Sequence, residues 1–434
     1  MSRALFVALV SSLLACAGPT PLPPISPATM ATAALPDGFE LVETWPVETT
    51  LDDPTIPEAH EVWLAMIAGA RERLDFLQFY GASEPGRRLE PVIAAITEAA
   101  ARGVRVRFVF DASFHERQPE IPDRLAAIPG VEVRILDLRP ITGGVQHGKL
   151  FVVDDAEAYV GSQNFDWRSL EHIQELGVRL RQPTLVAHVR EVFELDWALA
   201  GGATREALLG DASSTPDEDA PLPSHETTEV EREREGLVET AFRGEPVRAR
   251  VVASPRDLLP RGARWEWPLL RDAVASARER VRLQVMSYQI RGHDGEDWSE
   301  LDALLRATAA RGVRVELVVS SWETRPGRIE ALQSLTQVDG IEVRLVTIPE
   351  ASTGFVPYAR TVHAKYATVD GRIAWLGTSN AGGDYFLRSR NVGLFVEGAA
   401  FARALDVYFD RVWNGVYAEA VDPARTYERP RIGE

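Results

Sequence analysis

Apolar positions along this chain change period several times. Between Glu90 and Arg102 they recur at helical spacing (Val92, Ile93, Ile96, Ala99, Ala100), and the pattern stops at Gly103, a helix-closing glycine. Val104 to Phe110 is rich in β-branched residues and predicts a strand. Further on, Val145 to Val153 and Ala158 to Gln163 are apolar and β-branched on either side of a short polar break, which predicts a hairpin. The order is strand, helix, strand, helix, strand, then hairpin. It predicts an α/β sandwich.

The same order returns later in the chain. Ala68-Gly-Ala-Arg-Glu-Arg-Leu parallels Ala275-Ser-Ala-Arg-Glu-Arg-Val, and Ala101-Arg-Gly-Val-Arg-Val parallels Ala310-Arg-Gly-Val-Arg-Val. Gly130-Val-Glu-Val-Arg parallels Gly340-Ile-Glu-Val-Arg, and each half closes on an aromatic helical segment, Val192 to Trp197 and Val407 to Trp413. A repeat of this length predicts two α/β sandwich halves, at 37–202 and 246–434. Between them, 203–245 is acidic and rich in Ser and Pro, and reads as a surface linker, at least partly disordered.

Composition narrows the class. The 434 residues are 45% hydrophobic and carry a formal net charge of −17, so the chain is globular and its surface as a whole does not attract nucleic acid or anionic membrane. Residues 211–248 hold eleven acids against four arginines, and 4 − 11 = −7 of that charge sits there, which leaves room for a local basic site elsewhere.

The N-terminus reads as an export signal in residues 1–15: Arg3, then an apolar run from Ala4 to Leu14 too short to span a bilayer. Leu13-Leu14-Ala15-Cys16 resembles a bacterial lipobox, and Cys16 is the only cysteine. The resemblance implies lipidation at Cys16 and a membrane-anchored lipoprotein, sorted to the outer membrane in a Gram-negative host. The alternative is ordinary cleavage after Ala15-Cys16-Ala17 and secretion. Residues 16–36 are rich in Pro and Ala and read as a tether. With one cysteine, no internal disulfide can form, so stability rests on the core.

The repeat also carries chemistry. His147, Lys149 and Asp154, followed by Gly161, Ser162 and Asn164, return at identical spacing as His363, Lys365 and Asp370, then Gly377, Thr378 and Asn380. If Asp154 pairs with Glu157 across a two-residue loop, His147 lies opposite Asn164 and Lys149 opposite Ser162. The same register, with Gly371 starting a type II′ turn, sets His363 against Asn380 and Lys365 against Thr378. Histidine, lysine, asparagine and a hydroxyl would share one face of each hairpin. Asp154 and Asp370 fall at the turns and read as structural ties. Eleven residues beyond each asparagine stand Glu175 and Asn391.

This doubled pattern resembles the phospholipase D superfamily, and Gly161-Ser-Gln-Asn-Phe-Asp-Trp-Arg-Ser169 with Gln174-Glu-Leu-Gly-Val178 is similar to its animal endolysosomal 5′-exonucleases and their poxvirus relatives. Val356-Pro-Tyr-Ala-Arg360, Ser320-Ser-Trp322 and Asp384-Tyr-Phe386 extend the likeness over about residues 40–420. Two departures stand out: the cysteines of the animal proteins are missing, and Ala381-Gly382 replaces their Trp-Ser.

The resemblance implies a phosphodiesterase without cofactor, in which lysines do the work of a cation and a phosphohistidine forms. By that analogy His147 is the nucleophile and His363 the acid and base, an order the residues themselves leave open. Glu175 is expected to orient His147, and Asn391 His363. The implied substrate is single-stranded nucleic acid or phospholipid, with a non-catalytic membrane-anchored binding protein as a third reading and no obligate protein partner. Tyr80, Tyr288, Trp167 and Tyr385 read as candidate stacking or rim residues. His60, His115, His172, His188, His225 and His293 have no ligand spacing and read as surface or structural.

Overall fold

The computed structural model describes residues 37–210 and 236–433, and these cluster as one unit. The leader, the tether with Cys16, residues 211–235 of the acidic stretch and His225 lie outside the described residues.

Each half is built on one sheet. The first runs in the order Phe39–Thr44, Glu175–Leu180, Glu157–Gly161, Leu150–Val153, Arg73–Gln78, Arg105–Asp111, Val131–Leu136. Its last three strands are parallel and the others antiparallel, as the helical connections and the hairpin require. The second half repeats this with Glu245–Ser254, Asn391–Glu397, Ile373–Gly377, Tyr366–Val369, Arg280–Gln284, Arg314–Ser320 and Ile341–Val346, and adds strands at both edges.

One added strand, Val238–Phe242, falls inside the stretch read as linker, as does a short helix, Arg205–Leu209. The strand ties the halves together. Gly38 donates its N–H to Ala241 O at 2.9 Å, and Phe39 stacks on Phe242 with ring centroids 5.6 Å apart.

The central core lies between the sheets. Helix Pro183–Ala200 contributes Leu185, Val189, Val192 and Phe193, and helix Ala399–Trp413 contributes Phe401, Leu405, Phe409 and Val412 to one buried cluster with strands of both halves. The outer face of each sheet has its own core, covered by helices Ala59–Gly69 and Leu89–Ala101 in the first half and by Glu266–Ala275 and Glu300–Ala310 in the second. Burial on both faces explains why the central strands read as continuous apolar runs.

The hairpins depart from the expected register by one residue. Val153 pairs with Glu157 and Val369 with Ile373. The turns are Asp154-Asp155 and Asp370-Gly371, with positive φ at both central residues, so they are type I′ rather than II′. Ala156 and Arg372 are then left over as the extra residue of a bulge, which shifts every later pair by one.

In the left-handed conformation Asp154 turns its carboxylate back onto three backbone N–H groups, those of Arg71, Glu72 and Arg73, at 2.7 to 2.8 Å. Asp370 holds Arg278, Glu279 and Arg280 in the same way at 2.9 Å. Each aspartate thus ties its hairpin to the start of the neighbouring parallel strand.

Candidate active site

The motif residues lie just past the strand ends. His147 and Lys149 precede strand Leu150–Val153, and Ser162 and Asn164 follow strand Glu157–Gly161; the second copy is arranged alike. The motif glycine has a steric cause. Gly161 faces Gly177 across the sheet, and a Cβ on Gly161 would stand 2.9 Å from the Cα of Gly177. Gly377 faces Gly393 with 3.2 Å in the same place. Backbone approach this close excludes a side chain at Gly161 and leaves one at Gly377 room only if the facing strand gives way.

What joins the halves is a pair of crossed bridges. His147 donates its backbone N–H to Arg390 O at 2.9 Å, and Arg390 donates to Val145 O at 2.9 Å. In the other direction His363 donates to Gln174 O at 2.8 Å, and Gln174 to Thr361 O at 2.9 Å. Each histidine segment therefore runs beside the segment leading into the other half's orienting residue.

This crossing corrects the expected partners. Glu175 does not face His147; its Oε2 lies 2.7 Å from His363 Nδ1. Asn391 does not face His363; its Oδ1 lies 2.9 Å from His147 Nδ1. The sequence places each orienting residue beside its own half's motif, but the bridges at 390 and 174 are non-local and carry no periodicity.

The orienting groups are themselves held. Asn391 donates Nδ2 to Tyr385 O at 2.8 Å and accepts from Thr378 Oγ1 at 2.8 Å, so Oδ1 is the atom left for His147. It must accept, which puts the proton of neutral His147 on Nδ1 and leaves the Nε2 lone pair free. Glu175 accepts from Ser169 Oγ at 2.8 Å, and Ser162 pairs with the backbone of Leu176. Ser169 and Tyr385 each stand five residues past the motif asparagine. That matched offset is the sequence signal that could have found Ser169 and tied Tyr385, already a candidate, to the orienting group.

All four charged motif side chains share one buried region. His147 and His363 are 6% and 7% exposed, and Lys149 and Lys365 1% each. Lys149 Nζ donates to His147 O and Lys365 Nζ to His363 O, both at 2.5 Å. Burial first, then the two ammonium groups, pushes both imidazoles well below their usual range. Burial and the charge of Lys365 push Lys149 down, and burial pushes Lys365 down to about 7 against the pull of Glu175. Burial pushes Glu175 up to about 7, opposed by Lys365, Ser162, Ser169 and Lys149. These mutual influences bring both motif copies into one electrostatic cluster.

The asparagines present unpaired atoms there. Asn380 Oδ1 accepts from the N–H groups of Met286 and Ser287 at 3.1 and 3.3 Å, and its buried Nδ2 has no protein partner. Asn164 Oδ1 is likewise buried without one.

Other residues near the site play smaller parts. Phe79 packs against His147 with ring centroids 4.8 Å apart and lies under Lys149 Nζ. Of the four candidate stacking aromatics, Tyr385 alone meets a motif histidine, at 5.2 Å from His147. Tyr80 bonds Asp166, Tyr288 bonds Asp302, and Trp167 is buried beside His172. Arg390, fully buried, is gripped by Asp196 of the first half and by the carbonyls of Ser254 and Leu258, which fixes the bridge that carries His147. Among the described residues no group of three or more metal-binding side chains is present.

Known proteins share this arrangement of the chain. A family model described as cardiolipin synthase, PLD-like domain, matches residues 63–197 and 270–413, which takes in both motif copies. The 5'-3' exonuclease PLD3 of Bos taurus is 30% identical over 393 residues, covering 85% of this chain and 77% of the relative. Phospholipase D Y of Dictyostelium discoideum is 30% identical over 398 residues, covering 86% and 89%. Among solved structures, the phosphatidylserine synthase of Haemophilus influenzae matches with a TM-score of 0.56 at 12% identity, over 83% of this chain and 85% of that one, a likeness of fold. The chain belongs to the phospholipase D superfamily of phosphodiesterases, with the animal phospholipase D-like exonucleases among its relatives.

Proposed function

We propose that the chain cleaves the phosphodiesters of single-stranded nucleic acid from an end, in two displacements, through a phosphohistidine on His147. The observation that carries the mechanism is the unlike pairing of the two imidazoles: an amide on His147 and a carboxylate on His363.

Burial and the two ammonium groups keep His147 neutral, and Asn391 holds the tautomer that leaves Nε2 free, which is what a nucleophile needs. Glu175, 2.7 Å from Nδ1, works against the burial and the ammonium groups that push His363 down and so favours its imidazolium, which is what a general acid needs. In the first displacement His147 Nε2 gives its lone pair to phosphorus. The bond from phosphorus to the leaving oxygen breaks, and His363 donates its Nε2 proton to that oxygen. In the second, neutral His363 takes a proton from water as the water oxygen attacks phosphorus. The P–N bond breaks and its electron pair returns to His147. Lys149, Lys365 and the side-chain Nδ2–H groups of Asn164 and Asn380 would hold the non-bridging oxygens throughout. A phosphodiester anion among the lysines also offsets their mutual repulsion, which costs most where burial is greatest.

Nucleic acid is favoured as substrate by the exonucleases among the relatives. Bulk acidity does not oppose it, because a compact site needs few phosphate contacts. A second reading, a phospholipase, is favoured by the Dictyostelium relative. The scattered exposed hydrophobics of the described residues (Ile141, Leu208, Tyr358, Leu387, Val407, Val416) offer a bilayer little continuous surface. We also propose export, with lipidation at Cys16 anchoring the enzyme to a membrane.

The test offers purified enzyme 5′-labelled single-stranded oligonucleotide and, separately, phosphatidylcholine and phosphatidylglycerol vesicles, without added metal. Release of mononucleotides from the oligonucleotide is expected. Headgroup release with intact oligonucleotide would replace this reading with the phospholipase.

A further inference from the structure

Tyr385 stands in three relations to the site at once. Its ring meets His147 edge-on, with centroids 5.2 Å apart and planes at 70°. Its carbonyl accepts Asn391 Nδ2 at 2.8 Å and so fixes the amide that orients His147. Its hydroxyl lies beside the side chains of Asn380 and Ser287, and burial, its largest influence, keeps the phenol protonated. The amide of Asn380 neighbours that hydroxyl, and its Nδ2 is a buried donor with no fully formed hydrogen bond to protein.

The first half has no counterpart to this ring. Five residues past Asn164 the chain carries Ser169, whose hydroxyl serves Glu175 and, at 3.2 Å, the N–H of Asn164. Among the described residues, both aromatic rings that pack on a motif histidine, Phe79 and Tyr385, pack on His147. The two sides of the site therefore differ in what surrounds the phosphoryl group, and they differ at the histidine that would carry it.

We propose that Tyr385 is a working residue of the reaction: its hydroxyl donates to a non-bridging oxygen of the phosphoryl group as that group is held on His147, beside the donor of Asn380. Its ring fixes the plane of the imidazole. This rests on the phosphohistidine reading above. A phenol and an amide N–H set side by side make a donor pair for a phosphoryl oxygen, and both are held in place before substrate arrives. That is the condition under which such donors accelerate a reaction.

Tyr385→Phe keeps the ring and removes the hydroxyl. For one lost oxyanion donor, kcat is expected to fall about 100-fold, with KM within about threefold of wild type. The full chain is assayed on an oligonucleotide and on a nucleoside p-nitrophenyl phosphodiester, whose leaving group needs no acid. The loss should be the same on both, because the hydroxyl serves the non-bridging oxygen, and the thermal midpoint should be unchanged.

Three results overturn the proposal: kcat within twofold of wild type on both substrates, a loss confined to the oligonucleotide, or a loss matched by a fall in thermal midpoint. His147→Ala is run beside it. If that variant keeps activity, the phosphohistidine reading fails; if it is inactive while Tyr385→Phe is normal, only the role of Tyr385 fails.

Discussion

His363 Nδ1 and Glu175 Oε2 lie 2.7 Å apart, although 188 residues separate them and they belong to opposite halves of the repeat. His147 and Asn391 repeat the relation across 244 residues. Each half thus holds the other's histidine. A half on its own would present a histidine with no orienting partner, so the site forms only when both halves fold onto one another.

Replacing Glu175 with Gln keeps an acceptor for His363 Nδ1–H and removes a negative charge. A nearby carboxylate raises the imidazole's affinity for its proton, so its loss lowers that affinity. Activity needs His363 protonated, and the alkaline limb of the kcat profile should therefore move to lower pH by about one pH unit or more, with kcat at the optimum down about 10- to 100-fold. A pH series on wild type and Glu175→Gln reads this directly.

Asn391→Asp should act on the other limb. A carboxylate beside His147 raises its affinity for a proton, and a protonated nucleophile is inactive. The acid limb should rise by a similar amount while the alkaline limb stays in place. Movement of the alkaline limb instead would assign Asn391 to His363.

His363→Ala should be leaving-group dependent. With an oligonucleotide the loss should be about 100- to 10,000-fold, as for a missing general acid. With a p-nitrophenyl ester the first displacement needs no proton, and much of that loss should vanish from a single-turnover burst of nitrophenol. His147→Ala should show no burst with either substrate.

The bridge carrying His147 rests on the fully buried ion pair of Arg390 and Asp196. Asp196→Ala strands a buried guanidinium and should cost about 3–5 kcal/mol, read from urea unfolding. Exchanging both residues together, Asp196→Leu with Arg390→Met, should recover most of that stability.

For the N-terminus, Cys16→Ser should abolish metabolic labelling with palmitate and release the protein from the membrane fraction. Unchanged labelling would remove the lipid anchor from the proposal.

Much of the fold and of the site is legible in the chain. The doubled motif is local and its spacing survives folding, so His147, Lys149, His363 and Lys365 can be picked out from spacing, and the family resemblance joins them in one site. The order of elements along the chain follows from apolar period, because central strands buried on both faces leave unbroken runs such as Leu150–Val153.

Three things are hidden there, each for a physical reason. The hairpin register slips by one because Asp154 and Asp155 adopt left-handed backbone that composition does not require of aspartate. Strand Val238–Phe242 is masked by an acidic stretch, because a five-residue edge strand needs little apolar pattern of its own. The exchange of Glu175 and Asn391 between histidines depends on two isolated bridges between non-strand segments, and no local signal marks those.

The most direct measurement is the identity of the phosphorylated histidine. Enzyme mixed with excess substrate is quenched in alkali within a turnover and digested, and the adduct is located by mass spectrometry. The expected result is a phosphoryl adduct on His147 and none on His363. An adduct on His363, the histidine paired with Glu175, would contradict the division of roles argued from these pairings.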